Sequence, residues 1–87
     1  MRLAERLAQS YLANGKAEEA ESCYRQMLER DSCREEAHLG LIRAHLAANR
    51  RDQAVACYHE YCKTLERELN LAPSPEATAL YMQVVES

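Results

Sequence analysis

Residues 1–34 and 35–68 superimpose on one another position for position. Leu7 falls on Leu41, Leu12 on Leu46, Ala13 on Ala47, Ala20 on Ala54, Cys23 on Cys57 and Tyr24 on Tyr58. A period of this length belongs to paired-helix units that cannot bury their apolar faces alone and stack on their neighbours. The repeat therefore constrains the chain to an all-α, right-handed stack of two helix-turn-helix units, and whatever follows the second unit must cap it. Such stacks offer surface to partners and rarely carry chemistry of their own.

Composition agrees. Only two Gly and two Pro occur in 87 residues, so little interrupts helix formation. The apolar share of 47% and charged share of 29% fit one small globular domain spanning residues 1–87. A net charge of −3 argues against direct nucleic-acid contact by this segment, because phosphate binding needs a basic footprint. No apolar run is long enough for a membrane span, and Met1-Arg2-Leu3-Ala4-Glu5 mixes charge with apolar residues unlike a signal peptide. Cysteines 23, 33, 57 and 62 include no CxxC pair, and Cys23 and Cys57 share a repeat position. They read as free packing thiols of a cytoplasmic protein.

Periodicity predicts a helix over 2–13, with Leu3, Leu7, Ala8, Tyr11 and Leu12 inward, ended by Asn14-Gly15. A second helix over 17–30 turns Ala20, Cys23, Tyr24, Met27 and Leu28 inward. Asp31-Ser32 breaks it, and Ser32 with Glu35 reads as a capping box for a third helix over 34–48. That helix carries Ala37, Leu41, Ile42, Ala44, His45 and Leu46, and Asn49 takes the place of Gly15 at its end. The stripe Ala54, Tyr58, Tyr61, Cys62, Leu65 and Leu69 makes the fourth helix about 18–20 residues long. Pro73 stops it. Ser74-Pro75-Glu76 then opens a short fifth helix as N-cap, first-turn proline and acid, with Leu80, Tyr81, Val84 and Val85 available for packing.

Leu7, Ala8, Tyr11, Ala20 and Tyr24 give the first unit a close resemblance to the tetratricopeptide repeat. The second matches at Leu41, Ala54 and Tyr58 but carries Ile42 where that repeat has a small residue and His45 where it has an aromatic. Ser32 and Glu66 stand where the repeat closes on proline. The departures have a pattern of their own. Arg34-Glu35-Glu36-Ala37-His38, Leu41-Ile42-Arg43-Ala44 and Arg51-Asp52-Gln53-Ala54-Val55-Ala56-Cys57-Tyr58 resemble the bacterial transcriptional activator domain. So do Leu65-Glu66-Arg67-Glu68-Leu69-Asn70-Leu71-Ala72-Pro73-Ser74-Pro75-Glu76 and Ala79-Leu80-Tyr81. That domain occurs in the antibiotic regulatory protein (SARP) family and in related large regulators.

The resemblance implies the C-terminal portion of a longer domain, with further helices and a winged helix-turn-helix DNA-binding domain upstream. It implies a regulatory module that associates with itself as a homodimer, with other domains of the parent regulator or with RNA polymerase. A stand-alone tetratricopeptide-type peptide-binding adaptor is the second reading, and a sensory module holding a ligand between repeats the third. A basic winged-helix domain in the parent reading frame would separate the first from the second.

Tetratricopeptide grooves are lined by the first helix of each unit. That face would carry Arg2, Glu5, Gln9, Leu12 and Ala13, then Glu36, Leu39, Arg43, Leu46 and Ala47, with Arg43 its most testable cation. Glu5, Gln9 and Gly40 stand where carboxylate-clamp members have Lys and Asn, which argues against that partner class. Val55 and Tyr61 are the second-helix residues expected to reach a neighbour. No catalytic residue, metal ligand or cofactor is expected. His59 and Cys62 lack a second ligand pair, His38 and His45 read as packing histidines, and no nucleophile, base or Gly-rich phosphate loop is recognisable.

Overall fold

The computed structural model describes the backbone of residues 2–86 and the side chains of residues 6–86. Five helices follow one another: α1 (Arg2–Ala13), α2 (Ala17–Arg30), α3 (Glu35–Ala47), α4 (Arg51–Leu69) and α5 (Pro75–Glu86). Each packs on the next, α1 and α5 both reach α3, and the backbones of α2 and α4 stay apart. The body measures 35 × 31 × 18 Å, and its thickness is that of two helix layers.

The repeat is visible in the backbone of its turns. Gly15 has φ 77° and Asn49 φ 61°, both left-handed. Lys16 N–H donates to the Tyr11 carbonyl at 2.8 Å, and Arg50 N–H donates to the His45 carbonyl at 2.7 Å. The offset that carries Leu7 onto Leu41 relates the two residues of every such pair. No side chain crowds the Cβ position of Gly15, so the dihedral alone demands a residue that tolerates this region. Asn49 shows that asparagine suffices.

Other boundaries differ in mechanism. Ser74 Oγ accepts from Ala77 N–H at 3.2 Å and Pro75 opens α5, as the sequence predicts. Asn70, at φ 54°, ends α4 in an αL closure, its N–H donating to the Glu66 carbonyl at 3.2 Å while Leu71 N–H reaches back to the Leu65 carbonyl at 3.3 Å. Ser32 is not the cap of α3. Arg34 holds that position without a side-chain bond, and the Ser32 hydroxyl instead donates to the Glu68 carboxylate at 3.0 Å. The turn before α3 is held by Asp31, whose side chain accepts from Cys33 N–H at 3.2 Å.

Two apolar clusters form the core. Ala8, Ala20, Tyr24, Met27, Ala37 and Leu41 join α1, α2 and α3. Leu39, Ile42, Ala54, Tyr61, Leu65, Ala77, Leu80 and Val84 join α3, α4 and α5. Helix α5 takes the seat beside α3 and α4 that α3 takes beside α1 and α2. It is the first helix of a third unit in position, as well as the cap the sequence predicts. This seating corrects two expectations. Leu39 and Tyr61, read as surface residues, are 3% and 1% exposed, because α5 builds its cluster over the part of α3 that an open groove would leave bare. In the other direction, Leu7, Leu69 and Val85, read as inward, are about half exposed. The α1 interface is made by Ala8 with the half-buried Tyr11 and Leu12, and the α5 interface by Ala77, Leu80 and Val84. The inward reading of Leu3 lies outside the described side chains.

Candidate functional site

Because α2 and α4 stand apart on the same helix, α3 forms the floor of a trough between them. Its volume is about 490 Å³. The floor is His38, Leu41 and His45, at i, i+3 and i+7 on α3. Arg25, Leu28 and Ser32 form one wall, and Gln53, Ala56, Cys57, Glu60, Thr64 and Arg67 the other. Those six α4 residues recur at helical spacing and so share one face.

One end of the trough is an ion cluster. Arg50, from the turn between α3 and α4, donates to Glu21 of α2 at 3.2 Å, and Arg25 donates to the same carboxylate at 3.0 Å. Burial raises the Glu21 pKa, but the Arg25 hydrogen bond and the charges of His45, Arg25 and Arg50 outweigh it and hold the carboxyl below its ordinary value. His45 beside it is 1% exposed. Burial lowers its pKa, and Arg50 and Arg25 add to that effect against the attraction of Glu21. Its Nδ1 is buried and has no hydrogen-bond partner among the described residues.

The other end is a hydrogen-bonded network on the first turns of α3. His38 Nε2 lies 2.8 Å from the Ser32 carbonyl, which can only accept, so the proton is on Nε2. The His38 ring packs on Tyr61 with centroids 4.8 Å apart, and the Tyr61 hydroxyl donates to Glu35 at 3.1 Å. Burial, reinforced by the Glu35 charge, pushes the Tyr61 phenol up to about 12. Cys57, in the middle of the trough, is half-buried and free, with its thiol pKa raised chiefly by burial.

The expected interaction residues do not meet in this trough. Gln9, Glu36 and Arg43 are exposed, with Glu36 and Arg43 on the face of α3 turned away from the trough floor, and Val55 is half-buried against the α3–α4–α5 cluster. Leu39 and Tyr61 are core, and Arg2 and Glu5 lie outside the described side chains. Glu21, Arg25, Arg50 and Arg67 are not singled out by the sequence. The signal for the trough is the α4 stripe of short and polar residues at helical spacing, opposite the apolar stripe that draws attention. Among the described residues, no group of three or more His, Cys, Asp or Glu side chains could hold a metal ion, and no helix is long and apolar enough to cross a membrane.

The stack of paired helices, the overlong α4 ended at Asn70 and the proline-started α5 together make up the element order of the chain. No curated protein and no solved structure matches it. The family model described as the bacterial transcriptional activator domain matches residues 1–85, nearly the whole length, and the chain belongs to that family.

Proposed function

We propose that this chain is the protein-interaction module of a bacterial transcription regulator, acting in the cytoplasm while a separate domain reads the DNA. It works by burying helix surface against a second copy of itself, against other domains of the parent regulator or against RNA polymerase. The observation that carries the reading is the outer face of α5. Met82 and Val85 sit one turn apart there, 48% and 46% exposed, on a helix seated as the opening half of a repeat unit. In a paired-helix unit that side is covered by the second helix, and a partner helix would cover the same apolar atoms. Gln9, Glu36, Arg43 and Val55 offer a second, more polar face. A standard interface takes about 800 Å² per partner. That is about a seventh of the 5594 Å² surface, within reach of one helix face and its flanks.

Light scattering across a concentration series tests the self-association arm. The expected result is a concentration-dependent dimer that Met82→Glu with Val85→Glu returns to monomer. A strict monomer at the highest concentration reached, or a dimer indifferent to both substitutions, overturns it.

A further inference from the structure

Helix α5 carries two stripes, and only one of them is covered. Ala77, Leu80 and Val84 are buried against α3 and α4. On the opposite side Pro75, Ala79, Met82 and Glu86 are all exposed, at successive spacings of four, three and four residues. That spacing is the seam by which one helix packs along another. It is continuous with the Met82 and Val85 surface, and no α5 residue lines the trough between α2 and α4.

A four-three-four spacing reads the same in both directions. A two-fold axis through its midpoint, between Leu80 and Tyr81, brings the seam onto itself in an antiparallel copy, with Met82 beside Ala79 and Glu86 beside Pro75. Each pair is complementary. Met82 is the largest side chain of the stripe and Ala79 the smallest, so one fills the space the other leaves. Glu86 comes to the start of the opposing helix, the positive end of its dipole. The flanks agree: Thr78 comes beside Val85, and Gln83, an amide donor, beside Glu76. In a parallel pair like would face like. Glu86 would meet Glu86 with no lysine or arginine on α5 to offset it, and two copies of Ala79 would leave a gap.

We infer that the outer stripe of α5 pairs with the same stripe of a second copy of this chain, antiparallel about a two-fold axis between Leu80 and Tyr81. The second α5 takes the place of the helix that would complete the third unit. Its direction is the one in which α2 lies on α1 and α4 on α3, each joined by a short turn. The inference rests on the self-association arm of the proposed function and adds its orientation and register. The twelve residues of α5 give a seam of about 18 Å, so the pairing belongs to the small, transient class.

Orientation is read by paramagnetic broadening between copies. A nitrogen-15-labelled wild-type chain is mixed with an unlabelled chain that carries a nitroxide at Glu86→Cys, its four native cysteines replaced by alanine. The expected result is broadening strongest at the amides of Glu76 to Ala79, growing with concentration and abolished by Met82→Glu with Val85→Glu. In an otherwise wild-type chain, Glu86→Lys should weaken the dimer by roughly threefold or more in light scattering at low salt. Broadening strongest at Val84 and Val85 reveals a parallel pair and overturns the inference, while association through α5 stands. A dimer that Glu86→Lys leaves unchanged or tightens has the same meaning. Broadening centred on another helix, or a strict monomer with none, overturns the inference and the α5 surface together.

Discussion

The phenol end of Tyr24 in α2 lies against Gly40 of α3, whereas Tyr61 in α4 sends its hydroxyl to Glu35 and its ring face to His38. Both joints are made on α3, one by shape and the other by a satisfied polar contact inside an apolar cluster. Gly40 is buried, and a Cβ there would fall inside the Tyr24 ring. The corresponding place in the next joint has no glycine. Ala77 is the counterpart in α5 of Ala37 in α3, both fully buried, and the offset between them sets Leu80 opposite Gly40. Tyr58 therefore has no bare backbone to lie on. It stacks on Tyr81 instead, centroids 4.2 Å apart. Extra length in α4 carries this register past the repeat offset, and the shift changes how a tyrosine can be used.

The largest test of this contrast is in the second cluster. Leu65→Ala should cost roughly 2–5 kcal/mol by denaturant unfolding, since Leu65 is 6% exposed at the centre of the α4 stripe. A loss under about 0.5 kcal/mol would remove α4 as the spine of the core. Next comes the first joint, where Gly40→Ala should cost about 1–3 kcal/mol by overpacking. The same change in a Tyr24→Ala background should cost far less, and an undiminished penalty would show that the ring is not what excludes the Cβ. Ser74→Ala should cost about 1 kcal/mol by freeing the α5 N-terminus, with α5 amides losing exchange protection first. The turns should respond least. Gly15→Asn should change stability by only a few tenths of a kcal/mol, while Gly15→Ala costs about 1 kcal/mol.

Acid and alkali should separate the joints. The Glu21 and His45 pKa values are both lowered by folding, so the folded state binds fewer protons than the unfolded chain. Their contribution is present above the unfolded values and is lost as pH falls, from about 6.5 for His45 and then below about 4.5 for Glu21. Tyr61 has the opposite sign. Its phenol is raised from 10 to about 12, so its contribution is full below 10 and is lost as pH rises through that window. Unfolding midpoints followed by pH should show Tyr61→Phe flattening the alkaline limb only and Glu21→Gln changing the acid limb only.

The helices and the Ser74 cap can be read from the chain because they rest on short-range patterns, namely apolar spacing, Asn and Gly at turns, and serine before proline. Ser32 shows where that stops. Its capping signature is genuine as a local pattern, but the distant Glu68 offers a charged acceptor nearby in space, and the tertiary bond wins. Leu39 escapes the pattern for a related reason, while Tyr61 lies on the apolar stripe of α4 and is misjudged only as a residue that reaches a neighbour. Periodicity tells which face of a helix is apolar but not that a fifth helix will seat over α3. The trough is hidden because it is a gap between helices remote in sequence, lined by residues ordinary one at a time.

The equivalent turns at Gly15 and Asn49 have a consequence for how the length of this protein can change. Each turn hands the chain from one helix to the next at similar left-handed dihedrals, with the same hydrogen bond from the following residue. One whole repeat, duplicated and spliced in at either turn, would leave both flanking helices in phase. An insertion inside a helix that is not a whole number of turns would instead rotate its apolar stripe off the core. The fold therefore grows in whole steps, and the ruler is written in its backbone.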